Sequence, residues 1–183
     1  MVDNKEKHLL QSAQRGDKKA IAELYDLHYR AVYNYIFYRV SDQQTAEDLS
    51  AEVFMRMLRK LPVYIDRGRP FLAWLYTIAR NIVIDHHRVG EKQEIVPIKE
   101  DILEDQIRKP DQQVQDNQTA DCFKKALELL PESQRQLLIF RFINEFSTPK
   151  IIQLLNKSDR AVRSLQHRAL RSLEKVLAEE NCI

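Results

Sequence analysis

The chain has 183 residues, 29 basic and 27 acidic side chains, and only three glycines, Gly16, Gly68 and Gly90. About thirteen glycines would be ordinary at this length, so glycine-rich nucleotide loops and many-turned sandwiches or barrels are excluded. The remainder, 44% hydrophobic and 31% charged with long periodic stretches, reads as all-α. No apolar run is long enough for a membrane helix, and the amino terminus lacks the apolar core of a secretory signal. Membrane insertion is therefore not expected, and the expected location is cytoplasmic. Cys122 and Cys182 make neither a disulfide framework nor a zinc spacing and read as free thiols; no metal and no cofactor is expected. The net charge of +2 is segmented. Residues 1–88 carry 14 basic and 11 acidic side chains, residues 89–121 carry 4 and 9, and residues 122–183 carry 11 and 7. Two mildly basic blocks flank an acidic one, a pattern that suits two nucleic-acid-facing modules.

In chain order, a short helix is expected around His8–Gln14, ending near Gly16. Asp17 sits where an N-cap belongs. The helix it starts, to about Val40, spaces Ile21, Leu24, Leu27 or His28, Val32 and Ile36 on one face. Ser41 or Asp42 begins a third helix with an inward stripe of Ala46, Leu49, Val53, Met57 and Leu61. Its outer side runs from acidic (Glu47, Asp48, Glu52) to basic (Arg56, Arg59, Lys60), which complements the helix dipole. Pro62 ends it, and PVYIDRGRP reads as a loop. A fourth helix is expected over Phe71–Arg88. Its apolar line is Leu72, Leu75, Ala79, Ile82 and His86; Thr77, Arg80, Asn81, Asp85 and Arg88 lie opposite. Ile84 among these polar residues predicts protein contact on a second side.

Residues 89–121, with Pro97, Pro110 and many Gln and Asp, read as a flexible acidic linker. Ile95, Val96, Ile98, Ile102 and Leu103 could pack onto a partner. Beyond it, helices are expected around Asp121–Leu130, Glu132–Asn144, Pro149–Leu155 and Asp159–Leu177. The architecture is thus two small helical domains, 1–88 and 122–183, joined by that linker.

The last two helices are separated by only three residues and the second is basic, which predicts a helix-turn-helix. Ile151, Ile152 and Leu155 would pack on Val162 and Leu165, with Ala169, Leu173 and Val176 continuing the stripe. Ser158 would cap the second helix. Arg160, Arg163, Ser164, His167 and Arg171 face outward, and from Lys157 to Lys175 six basic residues oppose two acidic ones. Such a helix fits a major groove: Arg160, Arg163 and His167 are placed nearest the bases, and Lys157, Arg168 and Arg171 nearest the phosphates.

The segment WLYTIARNIVIDHHR, Trp74–Arg88, resembles the WLYxIARNxxxDxxR helix of the extracytoplasmic-function sigma factors, compact members of the bacterial sigma-70 family. Asp48–Phe54, DLSAEVF, is similar to the family's DLxQEVF block. Leu130–Arg135 matches LPxxQR, and Ala161–Leu170, AVRSLQHRAL, matches the helix-turn-helix that follows. The resemblance spans about residues 10–88 and 122–178 in family order. Departures are Ala51 for Gln, Lys150-Ile151-Ile152 for Glu-Ile-Ala, and Asn156 and Arg160 where many relatives have Gly. Asn tolerates a left-handed backbone, so the turn is expected to survive; the bulkier Ile152 should alter the helix crossing.

The resemblance implies a non-enzymatic initiation factor that binds core RNA polymerase and promoter DNA, with an anti-sigma factor as a further partner that no residue here identifies. Asp48, Glu52 and Arg56 would dock on a coiled coil of the polymerase's largest subunit. The loop 63–70 and the helix after it would capture the melted −10 strand. There Asn81 and Asp85 offer base edges, Arg67, Arg69, Arg80 and Arg88 hold phosphates, and Trp74 is either a stacking surface or a core anchor. Lys157, Ser158, Arg160, Arg163, Ser164, His167 and Arg171 would read the −35 duplex, and the acidic linker would thread the polymerase. Two other classes fit the charges alone: a stand-alone helix-turn-helix regulator and a helical adaptor for acidic proteins.

Overall fold

A computed structural model describes residues 4–40, 42–93 and 122–180, with no side chains described for residue 4 or residues 90–93. The segment 94–121, including Ile95, Val96, Ile98, Ile102 and Leu103, lies outside the described residues, as does Cys182. Every described regular element is helical.

The amino-terminal helices begin where short polar side chains satisfy free amides. Helix α1 spans Asn4–Gln14, starting four residues earlier than the periodicity suggests. Asp17 accepts from the amides of Lys19 and Ala20 and opens α2, Lys18–Phe37, which stops short of Val40. Asp42, rather than Ser41, opens α3, Gln43–Lys60, by accepting from the Thr45 amide at 2.8 Å. The inner face of α3 is Ala46, Ser50, Val53, Phe54 and Met57, so Leu49 is only half-buried. Ser50 is tolerated in the core because its hydroxyl donates to the Ala46 carbonyl at 2.6 Å. Leu61 is buried from a short 3₁₀ turn, Leu61–Val63, that starts at the proline stop.

Helix α4 covers Phe71–Gln93, so it continues past the expected end at Arg88 into the block read as linker. Its buried side is broad: Phe71, Leu72, Ala73, Leu75, Tyr76, Ile78, Ala79, Ile82 and Val83. His86, expected on the apolar line, is exposed, because the core has ended by that turn. Ile84 is 40% exposed and carries no second packed side. On α2, His28 and not Leu27 faces inward; its Nε2 lies 3.0 Å from the Glu6 carboxylate, which pins α1 to α2. Gln14 of α1 donates to the carbonyls of Leu61 and Tyr64 at 3.2 and 2.7 Å, fixing the root of the loop before α4.

The carboxyl-terminal set begins with α5, residues 122–128. Cys122 is disulfide-bonded, against its reading as a free thiol. Helix α6, Glu132–Leu138, passes into a π-helical turn, Ile139–Ile143. The Arg135 guanidinium donates to the carbonyls of Leu127, Glu128 and Leu130, closing the end of α5. That is the structural use of the arginine in the Leu130–Arg135 block. Helix α7, Thr148–Leu155, and α8, Asp159–Glu179, form the helix-turn-helix. Ile151 and Leu154 of α7 pack on Val162, Leu165 and Ala169 of α8. Leu154 was not in the expected contact set, whereas Ile152, Leu155, Leu173 and Val176 are only half-buried.

The two helical sets meet along one seam. Arg39, 4% exposed, spans it to Glu132 at 2.9 Å while its other arm donates to the Tyr35 carbonyl at 2.6 Å. Asn34 donates to Asn144 at 2.8 Å, Asn144 to the Tyr76 hydroxyl at 3.3 Å, and Tyr76 stacks on Phe140 at 4.7 Å.

Candidate nucleic-acid and polymerase interface

Three exposed regions carry the residues singled out by sequence. On α3, Asp48 and Glu52 stand on successive turns of the outer face. Glu52 is held by Arg56 at 2.7 Å and Arg59 at 3.2 Å. The hydrogen bond from Arg56, with the charges of both arginines, keeps the Glu52 carboxyl below the usual range. Asp48 accepts from Gln44 at 3.2 Å. Arg56 therefore acts locally as the partner of Glu52. Ala51, Met55 and Leu58 are exposed beside them, so this face is mixed charged and apolar, as protein-docking surfaces are.

The second region is a cleft of about 470 Å³ between the loop 64–70 and the first turns of α4. Trp74, Ala73 and Thr77 form one wall, Arg67 and Arg69 the rim, and Lys60 and Tyr64 the side toward α3. Local chemistry makes the loop. Gly68 takes φ 74°, a left-handed value suited to glycine, while its amide donates to Asp66 at 2.8 Å. Trp74 is half-buried: it packs on Tyr64 and Phe71 at 4.7 and 5.2 Å and lines the cleft. Arg80, Asn81, Asp85 and Arg88 are exposed along the same helix. Arg80 neighbours Tyr35 electrostatically. Asn81, Asp85 and Arg88 have no hydrogen bond or ion pair to another described residue, so their polar atoms are available. Arg69 instead donates to the Leu154 carbonyl of α7 at 3.1 Å.

The third region is the outer face of α8. Ser158 caps the helix by accepting from the Ala161 amide at 3.3 Å. Lys157, Ser158, Arg160, Ser164 and Arg168 border a cleft of about 450 Å³ that Ser133 of α6 closes. His167 and Arg171 continue the exposed ridge, and Arg163 pairs with Asp159 at 2.8 Å. Asn156 holds the turn at φ 52°, ψ 50°, the left-handed conformation expected of it. Sequence reasoning missed Lys60, Tyr64 and Ser133, which reach these clefts from neighbouring elements. It also missed Arg39, a lone basic residue at a helix end whose partner lies 93 positions away.

Residues 24–92 match the family Sigma-70 region 2, and residues 120–173 match Sigma-70, region 4. The chain is 34% identical over 173 residues to the ECF RNA polymerase sigma factor BldN of Streptomyces coelicolor, covering 94% of this chain and 66% of that protein. It is 33% identical to the ECF RNA polymerase sigma factor SigD of Mycobacterium tuberculosis, over 88% of this chain and 79% of the relative. Among solved structures, the sigma factor RpoE of Bartonella quintana, co-crystallised with the anti-sigma factor NepR, is similar at 25% identity. Its TM-score is 0.59, with 87% of this chain and 98% of that one covered. Sigma factors are initiation factors and not enzymes; they bind core RNA polymerase and promoter DNA. Among the described residues, no helix is long and apolar enough to cross a membrane. Both regions occur in family order, each on the helices that present the exposed faces described above, and the chain belongs to the extracytoplasmic-function sigma factors of the sigma-70 family.

Proposed function

We propose that the chain binds core RNA polymerase in the cytoplasm and directs it to promoters by capturing a melted −10 strand and reading a −35 duplex. Residues 1–88 and 122–183 would be the two working domains, with 89–121 threading the polymerase between them. Asp48, Glu52 and Arg56 would dock on the coiled coil of the largest subunit, with exposed Met55 and Leu58 adding apolar contact.

One observation carries the reading: a cleft suited to an unstacked base and an exposed basic helix suited to a duplex coexist in one chain. An extruded base needs a flat surface and polar edge groups. Trp74 supplies the first, with Thr77, Asn81 and Asp85 on the turns beyond it. Arg67, Arg69, Arg80 and Arg88 would hold the strand's phosphates, the dominant source of affinity. On the duplex side, Arg160, Arg163 and His167 would reach base edges. Lys157, Arg168 and Arg171 would meet phosphates, and Ser158 and Ser164 would position the end of α8. An anti-sigma factor is a further proposed partner, by likeness to the RpoE–NepR pair.

Run-off transcription with core polymerase, with and without the chain, tests the reading. Promoter-dependent transcripts only in its presence are expected. A folded chain that yields none, and instead binds duplex half-sites as a dimer, would establish the stand-alone regulator.

A further inference from the structure

We propose that the cleft beside the loop 64–70 selects thymine over the other three bases, with the Thr77 hydroxyl receiving the single N–H of that base. The inference rests on the strand-capture reading and adds which base the site accepts.

The polar groups of the cleft supply the first argument. Its charged side chains, Lys60, Arg67 and Arg69, are all cations that only donate. Arg69 gives one N–H to the Leu154 carbonyl and keeps the others. Acceptors nearby are already engaged. The carbonyls of Leu61 and Tyr64 accept from Gln14 at 3.2 and 2.7 Å, and that of Pro70 from the Ala73 amide at 2.9 Å. The Asp66 carboxylate accepts from the Gly68 amide at 2.8 Å and lies 3.8 Å from Lys7. The Tyr64 hydroxyl lies within reach of the Asp66 and Glu6 charges, on the α1 side of the loop. Thr77 is different: its hydroxyl proton goes to the Ala73 carbonyl at 3.1 Å, so this exposed group turns lone pairs outward. Asn81 and Asp85 stand about 6 and 12 Å further along α4, outside the lining, where they meet neighbouring nucleotides.

A site with several donors and one acceptor side chain sorts the bases by their own hydrogens. Thymine carries one N–H between two carbonyl oxygens. Cytosine and adenine each carry an amino group with two N–H bonds, and guanine adds a ring N–H to its amino group. Only thymine is fully satisfied; each hydrogen left unpaired weakens binding by about tenfold. The apolar wall supplies the second argument. Val63 and Ile65, at 77% and 69%, are the most exposed large apolar side chains among the described residues, and both line the cleft. Such exposure does nothing for the free fold, whereas an apolar group entering beside Trp74 would cover it. Thymine is the base that carries a methyl, and burying that methyl favours it over uracil by about threefold.

The test uses the full chain assembled with core polymerase, core alone as the blank, and labelled single-stranded DNA octamers that are all thymine, all uracil, all cytosine or all adenine. Fluorescence anisotropy gives the four affinities. Thymine should bind about tenfold tighter than cytosine or adenine, with uracil about threefold below thymine. Thymine against cytosine is the deciding comparison, because both are weakly stacked pyrimidines. Two exposed substitutions probe the site, and thermal melting checks that both variants fold. Thr77→Val should weaken the thymine octamer by about tenfold. Arg67→Glu adds an acceptor at the rim, so it should weaken all four octamers yet raise cytosine relative to thymine by at least about threefold. Equal affinities for thymine and cytosine, or an unchanged ratio in Arg67→Glu, would overturn the selection while strand capture stands. An unchanged thymine affinity in Thr77→Val would overturn the part given to that hydroxyl. No binding by any octamer beyond core alone would overturn the strand-capture reading itself, and the selection with it.

Discussion

Asn156 and Glu145 both hold a left-handed backbone, at φ 52° and 53°, and they do so for different reasons. Asn156 ends α7, where its amide donates to the Ile152 carbonyl, and its short polar side chain eases a conformation that costs other L-residues about 1–2 kcal/mol. Glu145 follows the π-helical turn and has no such relief. Replacing Glu145 with glycine should therefore stabilise the chain by about 0.5–1 kcal/mol, and Asn156→Ala should cost about 1 kcal/mol. Urea unfolding of the two variants decides this; a destabilised Glu145→Gly would show that its side chain contributes more than its backbone strains. The caps belong to the same scale. Asp17, Asp42 and Ser158 act on amides within three residues, so their roles could be read from local order alone.

Helices α2 and α4 press two tyrosines into the seam, and burial dominates their chemistry. Tyr35 is raised to about 12 by loss of hydration, opposed by the Arg39 charge and reinforced by Glu132. Tyr76, buried beside it, is raised further still by the same cause. The folded chain thus keeps these protons after the unfolded chain has lost them, so stability falls as pH rises from about 10 toward 12. For Tyr35 alone the loss is about 3 kcal/mol at most, from a shift of roughly two units. Ultraviolet difference titration should find these two ionising last among the seven tyrosines, and urea unfolding should weaken across that window. A flat stability profile there would contradict their burial. Nothing local announces this seam. The α3 and α8 stripes recur every three to four residues and were legible, as was the all-α class. Tyr35, Tyr76 and Arg39 find Glu132, Phe140 and Asn144 only through packing of distant helices. The extension of α4 to Gln93 was missed because polar residues there carry no apolar period to mark it.

At the scale of the whole molecule, the proposed function divides work between two exposed faces on one chain. Each can be weak alone, since tethering supplies the second contact at high effective concentration. That division predicts different losses from substitutions that are similar in size. Arg163 is exposed and, among the described residues, pairs with Asp159, a surface pair of little stabilising value. Arg163→Ala should leave folding intact and cost about 1–3 kcal/mol at the −35 duplex, roughly a tenfold to hundredfold loss of affinity. Asn81 is exposed and has no hydrogen bond to another described residue, so Asn81→Ala should retain duplex binding yet reduce promoter opening. The holoenzyme separates the two effects when duplex affinity is measured by gel shift and opening by permanganate footprinting. Equal loss of duplex binding in both variants would mean that the α4 face also reads duplex, and the single-strand role of the Trp74 cleft would fall.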